Sequence, residues 1–245
     1  IFMEPTIELR VAELLASRLC HDLISPVGAV NSGIELMTEF GDGLDSESMQ
    51  LVASSAKLAS EKLQFFRIAY GNAGSGGNVA LGDGLRLIEP VCANQRTRVA
   101  IEDRTAGSMP GPGAVKLLLN IALVAGECLP RGGELGIVIG PDMAITVSAN
   151  GEGARIEDSL RAALDGSISD ADLEPKTAHG YFTHMAGKRL GVAFDIDAGP
   201  DRVTFANENG QRRAGRTRNT EWGRGQAAFA LAFLTSGSAT GSRST

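Results

Sequence analysis

In residues 17–32, SRLCHDLISPVGAVNS, a histidine, an acid and a helix-breaking proline stand inside a strongly helical run. An imidazole becomes a usable nucleophile when one ring nitrogen is held as N–H and the other keeps its lone pair. Asp22 directly follows His21 and is placed to hold one ring nitrogen, leaving the other free to attack. Pro26 lacks an N–H and clashes with the preceding turn. It therefore frees the carbonyl of Asp22, at a cost of roughly 3 kcal/mol, and should bend the helix one turn beyond the histidine. Leu15, Leu19, Leu23, Val27, Val30, Ile34 and Met37 step by three and four, which predicts the buried stripe of an amphipathic helix. His21 lies two residues from both Leu19 and Leu23, roughly 200° from each, so it points outward. Its neighbours on that face are Ser17, Arg18, Ile24, Ser25 and Gly28. They are mostly small, and they are expected to form the surface on which another macromolecule docks to handle the imidazole. Gly28 has two readings: another helix of this protein packs on it, or its space is kept for that partner.

His21, Asp22 and Leu23, followed by Ile24, Ser25 and Pro26, resemble the H-box of two-component histidine kinases. There a phospho-accepting histidine precedes an acidic residue, with a hydroxyl or amide residue four positions on and a proline five on. The longer string ASRLCHDLISPVGAVNSGIEL, with KLQFFRIAYG further along, is similar to the ChpT-like histidine phosphotransferases of alphaproteobacterial phosphorelays. The resemblance implies a phosphoryl group carried on His21, received from the aspartyl phosphate of one receiver domain and delivered to the aspartate of another.

The elements that must hold His21 follow from the pattern around it. A first helix is expected from near Glu8 to the Gly-rich break at 41–43. A second begins at Ser46 to Ser48 and runs to Tyr70 before Gly71. Val52, Ala56, Ala59, Leu63, Phe66 and Tyr70 form a heptad-like seam on it. A lone hairpin cannot cover both stripes. Either two copies pair into a four-helix bundle, the favoured expectation, or both stripes pack on the rest of the same chain. Residues 72–77, NAGSGG, read as a flexible linker.

Beyond it, helical signals at 82–92, 112–129, 156–164 and 176–190 alternate with strand signals at 98–102, 134–139, 143–149, 192–197 and 202–205. Helices beside a largely antiparallel sheet make an α/β two-layer domain. Its order resembles the ATP-binding domain of histidine kinases. LLLNIALVAGECLPRGG at 117–133 is similar to the N-box, with Asn120, Ala125, Pro130, Gly132 and Gly133 in register. The asparagine that helps hold magnesium in the kinases is Val124, and the expected basic residue is Glu127. ITVSANGEG at 145–153 is similar to the adenine-gripping box, but the base-reading aspartate is Ala149. Where a Gly-rich phosphate loop should open the next helix stands TAHGYFTHM, in which Gly180 alone offers a close backbone N–H. His179 and His184, five apart, make a poor metal pair and read as packing or surface residues.

Composition sets the remaining bounds. Of 245 residues, 43% are hydrophobic and 21% charged, ordinary globular values. A formal charge of −6 argues against nucleic acid or an anionic membrane as the main partner. Three cysteines without metal-ligand spacing suit a reducing, cytoplasmic setting, and no run is long enough to span a bilayer. The expected fold class is α+β, with a helical hairpin over 1–73 forming a four-helix bundle in a homodimer. A degenerate kinase-type ATP-binding α/β two-layer domain over 78–206 follows, and then a basic tail over 207–245 with six arginines against two acidic residues. The expected function is a histidine phosphotransferase that needs no cofactor of its own, the Mg2+ belonging to the partner receiver. By resemblance its partners are a hybrid histidine kinase like CckA and response regulators like CtrA and CpdR. Two alternatives stay open: a divergent histidine kinase or phosphatase that still binds ATP, and a non-catalytic dimeric adaptor.

Overall fold

The computed structural model describes residues 7–40, 46–72, 79–107, 111–141 and 144–207. The break at 41–43, all but the first residue of the 72–77 linker, and the basic tail after Asn207 lie outside the described residues. The elements run α1 (Ile7–Phe40), α2 (Ser46–Ala69), α3 (Leu81–Cys92), β1 (Thr97–Asp103), α4 (Ala114–Glu127), β2 (Gly133–Ile139), β3 (Ile145–Asn150), α5 (Asp158–Asp165), α6 (Pro175–Leu190), β4 (Phe194–Gly199) and β5 (Arg202–Asn207). Every helix and strand expected from the sequence is present, with ends within about two residues. No described helix is long and apolar enough to cross a membrane.

The five strands form one sheet in the order β1-β2-β3-β5-β4, with β1 parallel to β2 and the other pairs antiparallel. Alternation along each strand sends one set of side chains to the helical layer. Ile137, Val147 and Phe205 stand opposite one another across β2, β3 and β5, and all three are buried. On that face lies α4, which is apolar nearly all round: Leu117, Leu118, Leu119, Ile121, Ala122, Val124 and Ala125 are buried. Such a helix needs cover on every side. The sheet supplies it on one side, and α2, α3 and α6 supply it on the others.

The core does not stop at the hairpin. Phe65, Phe66, Ile68 and Ala69 at the end of α2 join the cluster built on α4 and the sheet. Burying such large side chains stabilises by roughly 1.5–3 kcal/mol each. A second cluster places Val11, Leu14 and Leu15 of α1 against Ala163, Ile168, Leu173 and Ala178. Both helices of the hairpin are therefore fixed at one end to the mixed layer.

The stripes read from the sequence divide between two faces. On α1, Pro26 and Gly33 are buried, while Val27 and Ile34 are exposed within the chain. On α2, Ala59 and Phe66 are buried, while Ala56 and Leu63 are exposed. The physical reason is size. At Gly33 the two helix axes come so close that a Cβ would overlap Val52, so the in-chain seam runs through small residues and the larger apolar ones face outward.

A polar joint closes the base of the hairpin. The last carbonyls of a helix lack intrahelical partners, and Asn120 Nδ2 of α4 donates to one of them, Ala69 O, at 2.8 Å. His179 is fully buried beside it: Nε2 donates to Asn120 O at 3.1 Å and Nδ1 accepts from the Tyr70 hydroxyl at 2.8 Å. A carbonyl can only accept, so Nε2 carries the proton and the ring is neutral. Burial, aided by the nearby Arg18 charge, pushes the His179 pKa down to about 3. The unfolded chain protonates this histidine below about pH 6.5, whereas the folded chain resists doing so. Stability from this site is thus full above pH 6.5 and falls by about 1.4 kcal/mol per unit as the pH drops towards 3. Urea melts are expected to show a loss of about 2 kcal/mol between pH 7 and pH 5. His179→Gln should be less stable at pH 7 but much flatter across that range. Equal slopes in both proteins would assign the acid sensitivity to other groups.

Candidate active site

His21 sits mid-way along α1 with its side chain 88% exposed. Its ring Nδ1 lies 3.4 Å from Asp22 Oδ1. That is longer than a well-formed hydrogen bond, and it is a distance that a small side-chain movement closes. A proton held there on Nδ1 would leave the Nε2 lone pair facing solvent. Ser17, Ile24, Ser25 and Gly28 are all exposed around the ring, as the spacing predicts.

Arg18 differs from its expected place on the open docking face. Its side chain is 18% exposed and turned towards the mixed layer, where Nη2 pairs with Glu127 Oε1 at the end of α4. Its Nε lies 3.9 Å from Asp22 Oδ2. The cause is electrostatic. Arg18 stands about 60° round the helix from His21, on the border between the open face and the packed one, and an acid on α4 draws it in. Burial alone would weaken its charge, but Glu127 more than offsets this and the Arg18 pKa is raised.

The carbonyl freed by Pro26 has a partner that the sequence did not reveal. Lys62 Nζ of α2 donates to Asp22 O at 3.0 Å. The proline's cost at this turn is thereby offset by a charge-assisted hydrogen bond to the residue behind the imidazole. α1 runs through Pro26 as one helix.

The two interior glycines of α1 play opposite parts. Among the described residues nothing lies within 4 Å of a Cβ built at Gly28, so no described helix packs there, whereas one built at Gly33 overlaps the stiff, branched Val52 side chain. Gly28→Ala is expected to raise stability by about 0.5–1 kcal/mol. Gly33→Ala should lower it by about 1–3 kcal/mol through overpacking. Paired thermal melts check both signs. Gly28→Arg should fold equally well yet obstruct approach to His21. A Gly28→Ala melt well below wild type would show that the residue is packed.

At the positions that meet nucleotide in the kinases, the polar N–H donors are otherwise engaged or missing. Asn120 spends its amide on Ala69 O and on Lys116 O, at 2.8 Å each. Ala149 is buried in β3 with no polar group to offer a base. The loop N–H groups of Gly151 and Gly153 donate to Asp201, at 3.0 Å to its carbonyl and 2.7 Å to its Oδ1. Gly180 does not open a phosphate loop. It lies inside α6, where a Cβ would stand 2.8 Å from Leu160 Cδ1, so it serves the close packing of α5 on α6. His184 Nδ1 donates to Leu164 O at 3.0 Å, a packing role like that of His179. This donor set does not fit a nucleotide.

The family model described as the histidine phosphotransferase C-terminal domain matches residues 81–202. Over 204 residues the chain is 33% identical to the protein phosphotransferase ChpT of Brucella abortus (strain 2308), spanning 82% of this chain and 96% of that protein. Among solved structures, a bacterial phosphotransferase superposes with a TM-score of 0.69 at 30% identity, covering 85% of this chain and 98% of that one. The match extends over most of the chain, and the chain belongs to the histidine phosphotransferase family, a phosphotransferase of a phosphorelay.

Proposed function

We propose that His21 is the residue that carries the phosphoryl group. The observation that supports it is the exposed imidazole on a fixed helix with a carboxylate beside Nδ1. The Nε2 lone pair forms an N–P bond as the P–O bond to a receiver's aspartyl carboxylate breaks, and that carboxylate leaves with the electron pair. Nδ1 keeps its proton, and Asp22 balances the positive charge of the phosphorylated ring. In the second half a different receiver's carboxylate forms a P–O bond as the N–P bond breaks, restoring the neutral imidazole. Positioning and charge stabilisation dominate such transfers, and the Mg2+ that neutralises the phosphoryl oxygens belongs to the receiver. Ser17, Ile24, Ser25 and Gly28 form the docking surface, and Asp22 sets the tautomer. The donors and acceptors are receiver domains of a CckA-like hybrid kinase and of CtrA-like and CpdR-like response regulators. The three free cysteines suit the cytoplasm.

Two copies pair through the outward apolar face of the hairpin, which completes a four-helix bundle with a His21 on each side. Support comes from Val27, Ile34, Met49 and Leu63, large side chains left exposed in a single chain.

The relay is tested by mixing the chain with a labelled, phosphorylated receiver and then an unlabelled second receiver. Label passing to the second receiver only when this chain is present is the expected outcome, and no passage would refute it. Calorimetry with Mg-ATP separates the kinase alternative. No saturable heat is expected up to millimolar nucleotide, because a buried base without its hydrogen-bond partner is costly. Micromolar affinity would favour the kinase.

A further inference from the structure

We propose that Glu127, at the end of α4, is a positioning residue of the His21 site, acting through Arg18 on Asp22. The proposal rests on the reading of His21 as the phosphoryl carrier. A line of alternating charge runs from the end of α4 in the mixed layer to the imidazole. Glu127 Oε1 pairs with Arg18 Nη2, Arg18 Nε lies 3.9 Å from Asp22 Oδ2, and Asp22 Oδ1 lies 3.4 Å from His21 Nδ1. The side chains of Arg18, Glu127 and Asp22 are 18%, 25% and 30% exposed, so their charges are only partly screened. Glu127 ends α4, the most completely buried of the described helices, and α4 fixes where its carboxylate starts.

The guanidinium is a planar fork that takes both oxygens of a carboxylate when nothing else holds it. Arg18 and Asp22 are one helical turn apart and within reach of such a pairing. With Glu127 absent, Arg18 turns fully onto Asp22 and draws Oδ1 away from the ring. With Glu127 present, Arg18 is held back, and Oδ1 is left for Nδ1–H. This gives a physical role to the acid found where the kinases resembled by this domain carry a base.

The test uses the full-length chain and phosphoramidate, a small donor that needs no docking partner. His21 Nε2 attacks phosphorus, the P–N bond of phosphoramidate breaks, and ammonia leaves. Glu127→Gln is expected to slow labelling of His21 roughly tenfold, and to shift the ring ¹⁵N resonances of His21 from the Nδ1–H tautomer towards a mixture. In an Asp22→Asn background Glu127→Gln should slow labelling no further, and Glu127→Asp should retain most of the rate. An unchanged rate, unchanged ring resonances, or slowing that simply adds to that of Asp22→Asn would overturn the proposal. Should Glu127→Gln fail to fold, Arg18→Lys gives the complementary reading: it keeps a cation for Glu127 but loses the fork that draws Oδ1 from the ring, so labelling should stay near the wild-type rate with the Nδ1–H tautomer retained, and slowing would overturn the proposal. A folded wild-type chain that takes no label on His21 would refute the carrier assignment instead, and the ring resonances would still report on the positioning.

Discussion

His21→Ala is expected to abolish phosphoryl uptake while leaving the fold intact. The side chain is 88% exposed and its nearest polar contact is 3.4 Å away, so alanine removes no packing and no strong hydrogen bond. Alanine is also the better helix former, by up to about 0.7 kcal/mol, and the melting temperature should stay level or rise slightly. Uptake should fall below detection because the other two histidines, His179 and His184, are buried or half-buried and each is held by a backbone carbonyl. Asp22→Asn, by contrast, should slow transfer roughly 10- to 100-fold, the scale on which losing the carboxylate behind a histidine is felt. Labelling assays beside circular dichroism check both variants. Uptake that persists in His21→Ala would place the phosphoryl group elsewhere.

The second large effect concerns association. Met49, Ala56 and Leu63 lie seven apart on the outer side of α2, and Val27 and Ile34 lie seven apart on that of α1. Leu63 is 52% exposed in one chain, so about half of its 1.5–3 kcal/mol of burial remains to be gained on pairing. Leu63→Asp removes that gain from both copies and adds the cost of desolvating two carboxylates. Together these come to about 4 kcal/mol or more, roughly a thousandfold in dissociation constant. Light scattering is expected to find a wild-type dimer and a Leu63→Asp monomer of native helicity, because the in-chain seam through Pro26, Gly33, Ala59 and Phe66 does not involve Leu63. A variant that dimerises as tightly as wild type would move the interface to another face.

The sequence carried the elements well and the faces poorly. Helix and strand spans followed from periods of three to four and of two, and from Gly and Pro at their ends. Strand pairing leaves no such trace, so the parallel β1-β2 pair within an otherwise antiparallel sheet is not visible in the chain. The exposure of His21 was legible because it is fixed by angle alone, opposite Leu19 and Leu23. Apolar residues alone mark the stripe of α1 as one buried face. The closest approach is marked instead by Gly33, whose missing side chain makes room for Val52. Helix angle puts Arg18 at the edge of the open face, but its direction is decided by Glu127, 109 residues later. A clue existed in the reversed sign at position 127, which calls for a cation somewhere. Likewise Pro26 announced a free carbonyl at Asp22, but only the fold brings up Lys62, 40 residues on, to fill it.

The most direct measurement of the central assignment is the chemical identity and position of the phosphoryl group. The chain is incubated with a phosphorylated receiver domain and digested, and the phosphate is mapped to a peptide and tested in acid and alkali. Phosphate that survives alkali, is lost in acid and lies on the peptide carrying His21 is the expected result. Phosphate on any other residue, or none on the folded chain while the receiver remains charged, would contradict it.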